Sequence, residues 1–197
     1  SLANPWTTYD ATNGATKFMQ LHTTIASTGD GGAYWNNTEP TSSVFSIGSH
    51  GDVNTSSATY IAYCFTSVEG VCKVGSYTGT GAAGNAVACG FEPAWIMVKS
   101  TGTQQWFIYD NERGVAVSDY ILFADSSEAE VSGGSYMNFT ATGFTVDKTN
   151  AFDDGANGTG VKYIYLAIAK EVDGTIPKYD LTYPTQTAPT RIALSGN

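Results

Sequence analysis

Short runs of apolar and β-branched residues alternate along this chain with clusters of Gly, Asn, Asp and Ser. That cadence predicts strands joined by turns. Runs at 59–68, 71–80, 94–100, 105–110, 120–124, 137–146 and 161–170 follow one another in the rhythm of a sandwich or barrel. Within them Ile96, Met97 and Val98, and all of 164–168, are continuously apolar, as expected of strands covered on both faces. No long helical period is present, and one turn at 128–130 is the most helix expected. The pattern therefore predicts an all-β protein.

Composition sharpens this picture. Ser, Thr and Gly make up 65 of the 197 residues, while Lys and Arg number 9 against 18 Asp and Glu, for a net charge of −9. A nucleic-acid backbone is held mainly by Lys and Arg, so nucleic acid is not an expected partner. No 18-residue apolar run occurs, and no membrane insertion is expected. Cys64, Cys72 and Cys89 lack metal-ligand spacing and are expected to be free thiols, with Cys64 a small core residue of an apolar strand.

An internal correspondence is the most informative feature. Trp6, Tyr9, Asp10 and Gly14 recur as Trp106, Tyr109, Asp110 and Gly114 at an offset of 100. In the same order, Phe45 and Ile47 answer Phe144 and Val146, Asn54 answers Asn157, and Tyr60-Ile61 answers Tyr163-Ile164. Two related modules are expected, at 1–70 and 71–170, followed by an extended arm at 171–197. The second module has strand-like sequence ahead of Trp106 that the first has no room for ahead of Trp6, which predicts an unpaired edge in the first. Either a longer polypeptide or a partner would supply the missing strands. The arm, with Pro177, Pro184 and Pro189, is a further candidate to cover that edge.

Ser76–Gly81, Gly90–Lys99 and Trp106–Asp110 carry a family resemblance, as do Pro40–Gly48, Thr59–Phe65 and Gly143–Val146. These motifs resemble a tandem-repeat domain of tailed-bacteriophage virion proteins, common in marine phages, over about residues 6–170. The resemblance implies a β-sandwich of concanavalin-A-like or jelly-roll type. It also implies a place on the virion, in a tail fibre, tail tip or other structural protein; a short, edge-open chain with an extended arm suits lattice assembly as well, which makes a capsid decoration protein the alternative. Other virion proteins and further copies of the chain are the partners it implies, with a host-surface glycan as a possible contact. It assigns no catalytic residue and no cofactor.

Candidate chemistry is sparse. The histidines, His22 and His50, lie in polar stretches without a nucleophile elbow. Asp110 with Glu112, or Glu128 with Glu130, has the i, i+2 spacing that puts two carboxylates on one strand face. Asp110 beside a repeated Gly is more simply a turn former. Asp147, Asp153 and Asn157, in a loop rich in Asp, Asn and Gly, are candidate calcium ligands, with turn chemistry the alternative. Tyr34, Trp35, Asn36 and Asn37, after a Gly-Gly pair, form a candidate sugar-binding loop, and Tyr77 is a further candidate. Trp6, Trp95 and Trp106 lie in apolar patterns and are expected in the core. A free carbohydrate-binding module or a glycoside hydrolase is the alternative of another class.

Overall fold

The computed structural model describes residues 5–113, 120–132, 134–149 and 156–171. Those residues are nearly all strand and loop, so the all-β expectation holds. The strands are β1 (Thr7–Thr8), β2 (Lys17–Gln20), β3 (Thr28–Gly29), β4 (Cys72–Thr78), β5 (Asn85–Ala88) and β6 (Pro93–Ser100). They continue as β7 (Trp106–Asp110), β8 (Tyr120–Phe123), β9 (Val131–Ser132), β10 (Met137–Thr140), β11 (Gly143–Val146) and β12 (Lys162–Ala169). One four-residue helix, α1 (Gly51–Asn54), is capped by His50, whose Nδ1 accepts the Asp52 N–H at 3.2 Å.

Six strands form the largest sheet, in the order β4-β12-β6-β7-β8-β9. Each pairing within it is antiparallel. β12 comes last in sequence yet sits between β4 and β6, with Tyr163 opposite both Tyr77 and Ser100. Alternation along β12 sends Tyr163, Tyr165 and Ala167 to one face and Ile164, Leu166 and Ile168 to the other.

The first face carries the main core. β10 and β11 form a hairpin, and β5 pairs with β11 to complete a three-stranded sheet. Its Val87, Met137, Phe144 and Val146 are buried with Ile96, Val98, Tyr109, Tyr163 and Tyr165 of the large sheet. Side chains of this size contribute about 1.5–3 kcal/mol each on full burial. β5 and β11 approach so closely that a Cβ on Gly143 would lie 2.0 Å from the Val87 carbonyl oxygen. Only glycine fits there.

The N-terminal residues cover part of the opposite face. β1, β2 and β3 make a small sheet, and Met19 of β2 is buried against Trp106 and Ile164. The Trp106 Nε1–H donates to the Gln20 carbonyl at 3.0 Å, and the Ser27 N–H donates to the Thr101 carbonyl at 3.0 Å. Cover fades along β12: Ile164 is buried, Leu166 half-buried and Ile168 exposed.

Several sequence expectations need correction. Residues 59–68 form no strand: only Val68 bridges Cys72 at the edge of β4, and among the described residues 59–65 have no strand beside them; they run over the surface with Tyr60, Ile61, Tyr63 and Phe65 exposed. Cys64 is exposed with them rather than in the core, although all three cysteines are free thiols as expected. The 137–146 run is two strands rather than one, and 128–130 is irregular loop rather than a helical turn. Of the three tryptophans expected inside, Trp106 is buried, Trp95 half-buried and Trp6 exposed.

Candidate functional site

The loop expected to present a sugar-binding surface folds inward instead. Both oxygens of the Asp30 carboxylate accept main-chain bonds, from Gly32 N–H at 3.0 Å and Tyr34 N–H at 2.6 Å. Gly31 and Gly32 supply the positive φ that the tight turn needs. The turn delivers Tyr34 and Trp35 into a small core with Ala15, Tyr9, Phe18 and Val53. Tyr34 stacks between Phe18 (centroids 4.0 Å apart) and His50 (4.2 Å) and donates its hydroxyl to Asp52 at 2.8 Å. Burial, reinforced by Asp52, pushes the Tyr34 hydroxyl up to about 12. Asn36 and Asn37 stay exposed, at φ 53° and 46°, and complete the turn in the left-handed region. Tyr34 and Trp35 are thus packing residues rather than a platform facing solvent beside Asn36 and Asn37.

Tyr77 is likewise part of the main core. It stacks on Tyr163 at 5.0 Å and donates to the Ala156 carbonyl at 2.7 Å.

Among the candidate calcium ligands, Asp153 lies outside the described residues. Asn157 is buried and works as a loop clasp. Its Oδ1 accepts from Thr80 N–H and from Asn85 Nδ2, both at 3.0 Å. Its Nδ2 donates to the carbonyls of Ala82 at 2.9 Å and Lys148 at 2.8 Å. Asp147 accepts from the Gly84 N–H at 3.0 Å and from the Thr145 hydroxyl at 3.1 Å. These oxygens serve the protein's own donors. Among the described residues no group of three His, Cys, Asp or Glu side chains is placed to hold a metal ion.

One carboxylate of each expected pair is engaged too. Asp110 Oδ1 accepts from Glu112 N–H at 3.1 Å and Arg113 N–H at 2.9 Å, while Arg113 Nε donates to its Oδ2 at 2.6 Å. Burial would raise the Asp110 carboxyl, but these bonds and the guanidinium charge outweigh it and hold it below the usual carboxylate range. Arg113 also reaches Glu130 at 3.2 Å. Asp110 and Glu130, one carboxylate from each expected pair, are thereby joined through a cation.

The concave feature that sequence reasoning missed lies on the uncovered end of the large sheet. It is an apolar cleft of about 420 Å³, walled by Trp95, Met97 and Leu166 on the sheet and by Trp6, Tyr63 and Phe65 above it. Trp6 and Tyr63 stack with centroids 6.2 Å apart. The one imidazole on its rim, His22, accepts the Trp6 N–H through Nδ1 at 3.3 Å. A lining this apolar offers little to sugar hydroxyls and much to apolar side chains.

Fold and surface together describe an all-β protein whose polar clusters are spent on turns and whose apolar surface is open. The chain belongs to the family described as Domain of unknown function (DUF7483), which matches residues 1–172. No curated protein and no solved structure matches it.

Proposed function

We propose that this chain is a non-enzymatic structural component of a tailed-phage virion, in a tail fibre or tail tip, built from two related sandwich modules. The observation that carries the reading is the distribution of exposed apolar side chains. Trp6, Val44, Phe45, Ile47, Tyr60, Ile61, Tyr63 and Phe65 are all exposed on one stretch of sequence and its neighbour. A surface of that kind is made to be covered by protein. The motifs behind the phage resemblance fall on strands, turns and this surface rather than around a reactive cleft. Two modules find support in the offset of 100, since Asp10 and Asp110 close the same kind of turn. The sandwich finds support in the core shared by the three-stranded and six-stranded sheets.

On this reading the partners are other virion proteins and further copies of the chain. Host-surface glycan contact is retained only for the exposed Asn36 and Asn37. Capsid decoration is the second reading, favoured by the same open apolar surface, which suits lattice contacts. Immunogold labelling of phage particles with an antibody to this chain tests both. Gold on the tail supports the first, gold on the head the second, and particles that never label would refute the virion assignment.

A further inference from the structure

Four residues of the first module are exposed where their counterparts in the second are buried. Ile61 is 72% exposed and Ile164 6%; Phe45 is 46% exposed and Phe144 1%. Ile47 against Val146 and Tyr60 against Tyr163 repeat the contrast. In the second module the burial has an identified source. Phe144 pairs with Val87 of β5, and Tyr163 and Ile164 lie between β4 and β6. Both strands that flank Tyr163 and Ile164, and one of the two that flank Phe144 and Val146, come from residues 72–100; β10 is the other.

No counterpart of that segment meets the first module among the described residues. Within them, no main-chain hydrogen bond ties 59–65 to a neighbouring strand. The ribbon is moored by side chains: the Tyr60 hydroxyl accepts from Thr55 N–H at 2.8 Å and donates to the Gly51 carbonyl at 3.0 Å, and Tyr63 leans on Trp6. Only the ribbon's end is held to the free edge of β4: Ser67 Oγ accepts from the N–H and donates to the carbonyl of Val74, both at 3.2 Å, the Cys72 thiol donates to the Thr66 carbonyl at 3.0 Å, and Val68 bridges Cys72. No charged residue lies between Thr55 and Val68 to discourage pairing.

We propose that residues 44–66 are an acceptor face for a segment built like β4–β6, donated by another module of this family. The donor strands flank the ribbon at 59–66 as β4 and β6 flank β12, and cover Phe45 and Ile47 as β5 covers Phe144 and Val146. A second copy in the conformation described here has no such segment to give, because its own β4, β5 and β6 are already paired with β12 and β11. The inference rests on the two-module part of the proposed function and is independent of where on a virion the chain resides.

The test is hydrogen exchange on the purified full chain, alone and with an excess of a synthetic peptide spanning residues 71–100. Alone, amides 59–66 exchange rapidly. With peptide they slow by about tenfold or more, while β12 keeps the protection it had. Ile61→Asp removes the effect, and unchanged β12 protection in that variant shows that it still folds. A chain with residues 71–105 repeated between Pro5 and Trp6 gives the same protection in cis and unfolds at a higher temperature. Unchanged exchange in both formats overturns the proposal. So does protection present without peptide: if it grows with protein concentration the occupant is a second copy, and if deletion of 172–197 abolishes it the occupant is the chain's own C-terminal segment. Gold labelling of virions is read separately, so the two ideas fail by different observations.

Discussion

Asp10 and Asp110, one hundred residues apart, make the same turn with the same atoms. Asp10 Oδ1 accepts from Thr12 N–H at 3.0 Å and Asn13 N–H at 2.9 Å; Asp110 Oδ1 accepts from Glu112 and Arg113 at 3.1 and 2.9 Å. The residue after the turn differs in kind but not in task, for Asn13 Nδ2 and Arg113 Nε each bond the other carboxylate oxygen. Replacing either Asp with Ala is expected to cost about 1–2 kcal/mol in urea unfolding, the range of a lost cap. Two silent substitutions would show these turns to be incidental.

Asp110 adds a pH signature. Its carboxyl is held below the ordinary value, with Arg113 outweighing burial. A depressed folded pKa stabilises the protein above the unfolded value of about 4, and that stability drains away as pH falls through the folded value. Asp110→Asn should therefore be less stable than the parent at neutral pH and close the gap in acid. Parallel stability-versus-pH curves would contradict this.

Trp35 and Trp106 are both buried, but only one indole N–H is satisfied. Trp106 donates to Gln20, whereas Trp35 Nε1 is buried without a hydrogen-bond partner. Both Trp→Phe changes lose the same volume. Trp106→Phe also strands a carbonyl, so it should be the costlier by about 1 kcal/mol. Thermal unfolding of the pair measures the difference.

Asn157 ties the β4–β5 and β11–β12 connections together from a fully buried position. Asn157→Asp points a carboxylate at the Ala82 and Lys148 carbonyls and is expected to lower stability by roughly 3 kcal/mol or more. Calcium should not shift the melting temperature of the parent chain, since the described oxygens of Asp147 and Asn157 already accept from protein donors. A calcium-dependent rise would restore the metal reading.

The thiols should react in a fixed order. Cys64 is exposed, Cys72 half-buried and Cys89 buried, with burial pushing the Cys89 thiol up. A water-soluble alkylating reagent at neutral pH is expected to modify Cys64 first and Cys89 only on unfolding. Mass spectrometry of partially labelled chain reads the order directly.

What could be read from the sequence divides along physical lines. β4, β6, β7, β8 and β12 were visible because each is a local pattern whose pairing partners are in the chain. Residues 59–68 carry an equally good strand pattern and form none, since a strand is made by its neighbours and among the described residues none runs beside 59–65. Tyr34 and Trp35 sit in a polar loop that reads as surface; their burial depends on Phe18 and His50, which approach only in the fold. Asp10 and Asp110 were legible as turn formers, because that chemistry is confined to three or four consecutive residues. The cleft was invisible, being assembled from Trp6, Tyr63, Trp95 and Leu166 across the whole chain.

The place of β12 has a consequence for how the protein is made. β4 and β6 leave the ribosome with the slot between them empty, and about 60 residues of further synthesis separate Ser100 from Lys162. At 5–20 residues per second that is a wait of roughly 3–12 s. Throughout it, the Tyr60-Ile61 ribbon is already out and is the nearest sequence of β12 type. Val68 and Ser67 hold the end of that ribbon on the outer edge of β4, away from the slot, so the early look-alike is tethered on the wrong side of β4 for the place that β12 will take.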